Sequence, residues 1–529
     1  PLGVRLGHIV QLLAAPGADF ATSMAKLLQR FADGSLDPAA RVALFSAKLF
    51  AVYKPLSPEA RAEGGSELNV VRPVRPLAAG EIVRRAAAKL LAHTTKVQAA
   101  AAFRRYRQIA IGVAGGAEAA IHATTALLTV YRTDVAARTN RGFLKTDKRN
   151  AFNLADRGKF MRFMAIHLPQ LLPYVTAAYG QMTELWFGDR VVENTRGSQQ
   201  GDPLAGHCFA GSHALLKETI PATVWDGIQL DYDFADDSGT CGLVTSLLDM
   251  LDALALRQNE FGEEFRMDKC QLFIDEAVCD PVTVARARAM GIAVRALLTD
   301  DVNVLGTSVG LPHHAELAFE ARVTQSVKAF GDIAQMTHTH RAATVLAFTG
   351  RGLATYSCRT SLPPRNQLLR LDAAFAQHAA SIYGVPHDSA VIEQLHARYT
   401  EGGFGYRRSE PYARLAYIAS VVETSATARS LFIDPSAHTR LGEIPFVRQA
   451  LADVVDPSGS AFSPLTDEIR LYVERGIDEG VQPGRRLQKR WSTMCDDATQ
   501  ASRLLTMSGA ANGEVVTTSI TIGRPPSCA

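Results

Sequence analysis

Between residues 228 and 234, apolar Ile228, Leu230, Tyr232 and Phe234 alternate with Gln229, Asp231 and Asp233. A period of two predicts a half-buried strand. The run then meets two adjacent carboxylates, Asp236 and Asp237, and the alternation breaks at Ser238-Gly239, where the turn is expected. Residues 240–244 can run back as a second strand. Most of the chain carries helical spacing instead. Helices are expected over 20–31 and 38–50, with Asp33-Gly34 as a stop, and over 80–93, 117–130 and 156–166. Residues 245–261 form a clear amphipathic helix, capped by Ser246 and ended by Gly262. From 315 to about 432 the pattern is mainly helical.

Shorter strand-like runs separate the helices. Runs at 49–54 and 68–76 frame a polar loop and put Lys54 and Arg75 on one hairpin. Residues 143–147 read as a strand ending in Asp147, and 185–192 as a hairpin turning at Gly188-Asp189. Residues 267–274 read as a strand with Lys269 near its start, and 302–309 as a strand or hairpin. The stretch 455–464 is a linker candidate. Gly112, Gly115 and Gly116 lack both the GxGxxG spacing and the Lys-Ser/Thr ending of a phosphate loop, so they read as a tight turn before a helix.

At 529 residues the chain suggests roughly three domains. No apolar run reaches the roughly 20 residues needed to span a bilayer, and the N-terminus lacks the clear cationic start and cleavage site of a signal peptide. It also lacks an initiator Met, which suggests a fragment or a processed chain. The seven cysteines form no CxxC pair, and their number is odd, which fits reduced thiols in an intracellular, nuclear or cytosolic protein. His313-His314 and the His338/His340 pair lack partner ligands and read as structural or surface residues. Net charge is only +3, but residues 81–149 hold thirteen Lys and Arg against four acids. Such a surplus, with Arg104, Arg105 and Arg107 within it, suits a polyanion such as nucleic acid. It suits solvated helix faces equally well.

Two adjacent acids at a hairpin tip repel each other unless a cation sits between them, and hard carboxylate oxygens suit magnesium. By itself the Asp236-Asp237 pair fits a solvated turn as well. Cations on a rigid hairpin, Lys54 and Arg75, suit a triphosphate, because Arg bridges two oxygens at once; a plain hairpin with exposed basic residues is the alternative. Gly197, Gly201 and Pro203 in 195–204 suggest backbone brought close to something large and flat.

The order of these pieces narrows the choice. Asp147 with Phe152-Asn153, then RGSQQGDPL, then FADD, then Lys269, then VLGTSVG, resembles successive motifs of reverse transcriptases. RPVRPLAAGEIVRR, GVAGGAEAAIH and WFGDRVVENTRGSQQGDPL resemble the enzymes of non-LTR retrotransposons, over about residues 45–430. The resemblance implies an α+β right-hand polymerase: N-terminal helices and fingers over 1–140, a palm of antiparallel strands backed by helices over 141–314, a helical thumb-like region over 315–432, and a C-terminal region of unassigned role over 433–529. It implies RNA-directed DNA synthesis on a DNA primer from an RNA template and deoxynucleoside triphosphates. Asp147 and Asp236, with Asp237 beside them, would hold two magnesium ions, manganese being admissible in their place. Phe152 would screen the sugar 2′-position. Gln200 and Gly201 would shape the floor under the templating pair, Lys54 and Arg75 would hold the triphosphate, and Lys269 would protonate pyrophosphate. No membrane partner is expected, and the setting is intracellular and nuclear. An RNA-dependent RNA polymerase and a non-catalytic nucleic-acid-binding descendant remain the alternatives.

Overall fold

The computed structural model describes residues 18–53, 74–397, 404, 406–433 and short pieces at 447–448, 450, 468–469 and 487–494. Lys54 and the linker candidate at 455–464 lie outside the described residues. The architecture is mixed α and β, and the chain divides into two compact units. One comprises residues 1–114 and 138–297, the other residues 115–137 and 298–529.

The first unit holds two sheets. In chain order its strands are β1 (Ala47–Tyr53), β2 (Val74–Gly80), β3 (Arg141–Thr146), β4 (Thr183–Phe187), β5 (Arg190–Asn194), β6 (Ile228–Phe234), β7 (Asp237–Leu243), β8 (Gln271–Ile274) and β9 (Ala293–Ala296). Four strands form one sheet in the order β2-β1-β4-β5, and five form the other in the order β6-β7-β3-β8-β9. Neighbours in the larger sheet are antiparallel except β8 and β9. The expected helix over 38–50 ends at Phe45, because Ala47 to Tyr53 pair with Gly80 to Val74 as a strand. Lys269 falls in a single 3-10 turn, Met267–Lys269, ahead of β8. There the amides of Lys269 and Cys270 bond back to the Arg266 carbonyl and curl the chain. The helix Val244–Arg257 starts without a side-chain cap from Ser246.

In the second unit the helix Gly116–Thr133 joins the helices Pro312–Ala334, Thr339–Thr360, Arg365–Tyr383, Ser389–His396 and Glu410–Ser430, with a hairpin β10 (Val302–Val304) and β11 (Thr307–Val309). Its core centres on Phe319, Val323, Phe330, Leu346, Leu368 and Phe375. Arg359 ties Glu118 to Glu423 at 3.1 Å each, and the His122 imidazole meets Ser420 Oγ at 3.0 Å.

Inside the first unit, the loop that follows β5 is pinned by a buried ion pair. Arg84, on the helix Ile82–Thr94, is 1% exposed. It donates to Asp202 Oδ2 at 2.6 Å, to Gln199 Oε1 at 2.7 Å and to the Phe45 carbonyl at 2.7 Å. Tyr179 adds a hydroxyl bond to Asp202 at 2.9 Å. Arg84 is therefore committed to the fold and does not face solvent as a phosphate-binding cation. Removing one partner of such a pair strands the other charge out of water. Arg84→Met is expected to lower stability by about 3–5 kcal/mol, measured by urea denaturation; a loss under about 1 kcal/mol would assign Arg84 no such anchoring role.

Candidate active site

The two-residue turn between β6 and β7 is Ala235-Asp236, with Phe234 and Asp237 as the closing pair. It lies earlier than the Ser238-Gly239 position expected from the sequence. Ser238 and Gly239 are paired strand residues opposite Asp233 and Tyr232. Gly239 answers a packing demand: a Cβ there would stand 2.3 Å from the Tyr232 hydroxyl. Ala235 instead takes the left-handed backbone, φ 56°.

Strand β3 lies beside β7, with Thr146 opposite Ser238 as the last pair. One residue further on, Asp147 comes level with Asp237. The sheet thus brings together acids 89 positions apart in sequence, Asp147 and Asp236, at one edge. Asp147 and Asp236 are half-buried and Asp237 is exposed. Partial loss of water and the Asp236 carboxylate push the Asp237 pKa up; Asp147 adds to this, while Lys145 and Lys148 oppose it. The three acids therefore repel one another.

Behind this edge lies a buried charge cluster that the sequence pattern did not reveal. Strand β6 is covered on both faces, and Asp231 and Asp233 are each 2% exposed. Lys217, on the helix Ala205–Lys217, donates to Asp231 Oδ2 at 2.6 Å and to Asp233 Oδ2 at 2.8 Å. One turn earlier on the same helix, His213 pairs with Glu263 at 2.9 Å and approaches Asp233 Oδ1 at 3.5 Å. Ser238 Oγ donates to Asp233 Oδ1 at 2.5 Å and accepts from Lys148 Nζ at 2.8 Å. Lys148, itself buried, also donates to the Asp236 carbonyl at 3.2 Å. A continuous path of polar contacts thus runs from Glu263 to the acidic turn. The signal available in the sequence was His213 and Lys217 four apart on an otherwise apolar helix, and Asp231 and Asp233 two apart on one strand face.

The other candidates are spread around this edge. Phe152 is half-buried with its ring 5.4 Å from Phe209, which stacks on His213 at 5.8 Å. The Gln200 carbonyl accepts the Ala78 amide of β2 at 2.8 Å. Gly201, at φ 132°, leaves a Cβ only 2.4 Å from the Ala78 carbonyl, and a Cβ at Gly197 would meet Asn153 at 2.2 Å. The glycines of this loop therefore admit the chain's own backbone, rather than a flat external partner. Arg75 is exposed on β2, and Lys269 is exposed ahead of β8. The backbone neighbour of Asp147 is Arg266, whose amide donates to the Asp147 carbonyl at 2.9 Å. Arg104 and Arg105 are exposed, whereas Arg107 lies over the Trp225 ring at 5.5 Å. A cleft of about 390 Å³ opens beside Ala235, between Ile111 and Pro203, with Lys96 and His207 on its wall.

Among the described residues no group of three His, Cys, Asp or Glu side chains stands ready-assembled to hold a metal. The donor chemistry of the edge nevertheless fits a hard divalent cation: the crowding of carboxylates that pushes the Asp237 pKa up is relieved by one. Among the described residues no helix is long and apolar enough to cross a membrane.

No family model and no curated protein matches the chain. Solved structures similar to it include apo telomerase from Candida tropicalis, at 9% identity and a TM-score of 0.38, covering 83% of this chain and 70% of that one. Telomerase from Candida albicans with a fragment of telomeric RNA is similar at 8% and 0.34, covering 82% and 67%. The Candida tropicalis enzyme with the same kind of fragment is similar at 8% and 0.28, covering 72% and 62%. Identities of 8–9% and TM-scores below 0.4 leave the functional reading to the residues themselves.

The buried cluster makes stability depend on pH. Burial alone would lower the His213 pKa, but Glu263 and Asp233 outweigh it, against the opposing Lys148, and the pKa is raised above 6.5. A raised folded-state value means that the contribution of protonated His213 is complete below pH 6.5 and is lost as pH climbs through the higher, folded value. Asp233 is held well below the ordinary carboxylate range: burial is outweighed by Lys217 and His213, so its contribution is lost only in strong acid. The parent protein should therefore lose stability as pH rises above 6.5 and through the higher folded-state value. His213→Gln should be less stable at pH 6 and flatter across that range. Parallel curves from denaturant titrations would remove His213 from the cluster's charge balance.

Proposed function

We propose that the chain is the RNA-directed DNA polymerase of a non-LTR retrotransposon. The single observation that carries this is the meeting of Asp147 with Asp236-Asp237 on one sheet edge, in the order and context of the sequence motifs. The reaction joins a primer 3′-oxygen to the α-phosphorus of a deoxynucleoside triphosphate and releases pyrophosphate.

Asp147 and Asp236, with Asp237, would hold the divalent ions. When bound, these lower the pKa of the 3′-hydroxyl and neutralise charge on the leaving pyrophosphate. The side chains do the rest by position. Phe152, backed by Phe209, presents a bulky ring suited to excluding a ribose 2′-hydroxyl. Gln200 and Gly201 are tied to β2, the strand that carries Arg75, which suits a floor next to a triphosphate-holding cation. Lys269, exposed ahead of β8, would be the proton donor to pyrophosphate.

Primer extension on an RNA template with deoxynucleotides and magnesium tests the proposal. Parent protein should extend the primer, and Asp236→Ala should lose roughly three orders of magnitude or more of kcat. Folded parent protein that binds RNA–DNA duplex and incorporates nothing, with manganese as well, would mark a non-catalytic descendant instead. Phe152→Val should raise incorporation of ribonucleotides relative to deoxynucleotides by roughly tenfold or more. A parent that already prefers ribonucleotides would replace the proposal with RNA synthesis.

A further inference from the structure

The turn that carries Asp236 is held from a segment far away in sequence. Ala235 sits at φ 56°, a conformation that is strained for a residue with a Cβ and persists only where surroundings impose it. The imposing group is Gln108, which is 2% exposed. Its carboxamide grips the peptide groups on both sides of the Ala235 Cα. Nε2 donates to the Ala235 carbonyl at 3.1 Å, and Oε1 accepts the Ala235 amide at 3.0 Å. Oε1 also accepts the Ala110 amide at 3.1 Å, which fixes the carboxamide's own orientation.

The backbone around Gln108 serves the same end. Strand β6 is the edge of its sheet, and residue 108 forms a parallel bridge to Asp233 on that edge. The Ile109 amide donates to the Asp233 carbonyl at 2.9 Å, and the Asp233 amide donates to the Arg107 carbonyl at 3.0 Å. Arg107 is itself left-handed, φ 57°, a kink that lets the chain meet the strand and still aim Gln108 at the turn. Two unusual backbone conformations thus face each other across one side chain. On the other side, Lys148 holds the Asp236 carbonyl. Two buried side chains, Gln108 and Lys148, thus hold three successive peptide units of the turn.

We propose that Gln108 is a positioning residue for catalysis: its carboxamide holds the strained Ala235 peptide, and so presents the Asp236 carboxylate to the reacting atoms. The proposal rests on the polymerase function above. Gln108 touches neither substrate nor ion; it acts through the turn.

The test compares parent, Gln108→Met and Leu254→Val. Met keeps the length and bulk of Gln but loses all three hydrogen bonds. Leu254→Val trims the core on the helix Val244–Arg257 and serves as a control for lost stability alone. In primer extension, Gln108→Met should lower kcat by roughly ten- to a hundredfold. Its KM for deoxynucleotides and its affinity for template–primer should stay within about twofold of the parent. Manganese binding, followed by electron paramagnetic resonance without nucleic acid, should weaken in Gln108→Met and not in Leu254→Val. Should Gln108→Met fail to fold, Gln108→Asn carries the same comparison, because it keeps the carboxamide but falls one methylene short. A Gln108 variant with parent kcat and parent manganese affinity overturns the proposal. So does one whose only change is the loss of stability seen in Leu254→Val. An inactive parent would instead sink the polymerase function, while weakened manganese binding would still mark Gln108 as the residue that shapes the acidic turn.

Discussion

Charge neutrality in a place without water governs the central sheet. Asp231, Asp233 and Glu263 are buried under the acidic turn, and Lys217, Lys148 and protonated His213 balance them. A single uncompensated charge there would cost several kcal/mol. Every member of the set is thereby constrained by the others: the helix Ala205–Lys217 must present residues 213 and 217 to the sheet, and β6 must keep the register that faces 231 and 233 toward them. The register of β6 against β7 fixes where the turn falls, and the turn fixes Asp236.

The loop after β5 rests on the same device. Asp202 has Arg84 and two tyrosine hydroxyls for partners, and Gln199 bridges Arg84 to the chain near Phe45. Both conspicuous loops of this unit, the acidic turn and the glycine-bearing segment 195–204, thus stand on buried ionic contacts rather than on apolar packing alone. Such contacts are directional and tolerate little slippage. They suit parts that must hold fixed geometry, since for stability alone apolar side chains filling the same volume often serve as well.

Much of the outline was legible in the sequence. The hairpin at 183–194 with its turn at Gly188 and the strand leading into Asp147 appear where local pattern put them, and Gly262 is the left-handed stop, though the α-helix gives way at Arg257 to the 3-10 turn Gln258–Phe261. These features depend on neighbours within a few residues, and that is the range over which periodicity speaks. What escaped was set by contacts distant in the chain. The alternation in β6 was read as half-burial, since nothing local announces that a lysine and a histidine from another helix will cover the acids. Gly239 looked like a turn residue because the ring that demands it, Tyr232, lies across a strand pair. Gln108 sits in a stretch read for its glycines, and its partner Ala235 is 127 positions away. The order of motifs singled out Asp147, Asp236 and Asp237, and their common edge follows from strand register. Gln200, Gly201 and Arg75 come from the resemblance, and that the first two meet β2, the strand carrying Arg75, is a matter of backbone contact that spacing cannot convey.

The helix Gly116–Thr133 has a consequence for how this chain is made. It packs in the second unit, yet residues 138–297, the larger part of the first unit, are synthesised between it and its partners. His122 meets its partners only once Tyr417 and Ser420 exist. At ordinary rates of translation the helix waits on the order of fifteen to sixty seconds for these neighbours. The first unit, by contrast, can close its sheets before that, around a loop that leaves at residue 114 and returns at 138. A single cut therefore cannot separate the two units into whole pieces. A chain that stopped near residue 297 would complete one unit while carrying an orphaned, sticky helix of the other.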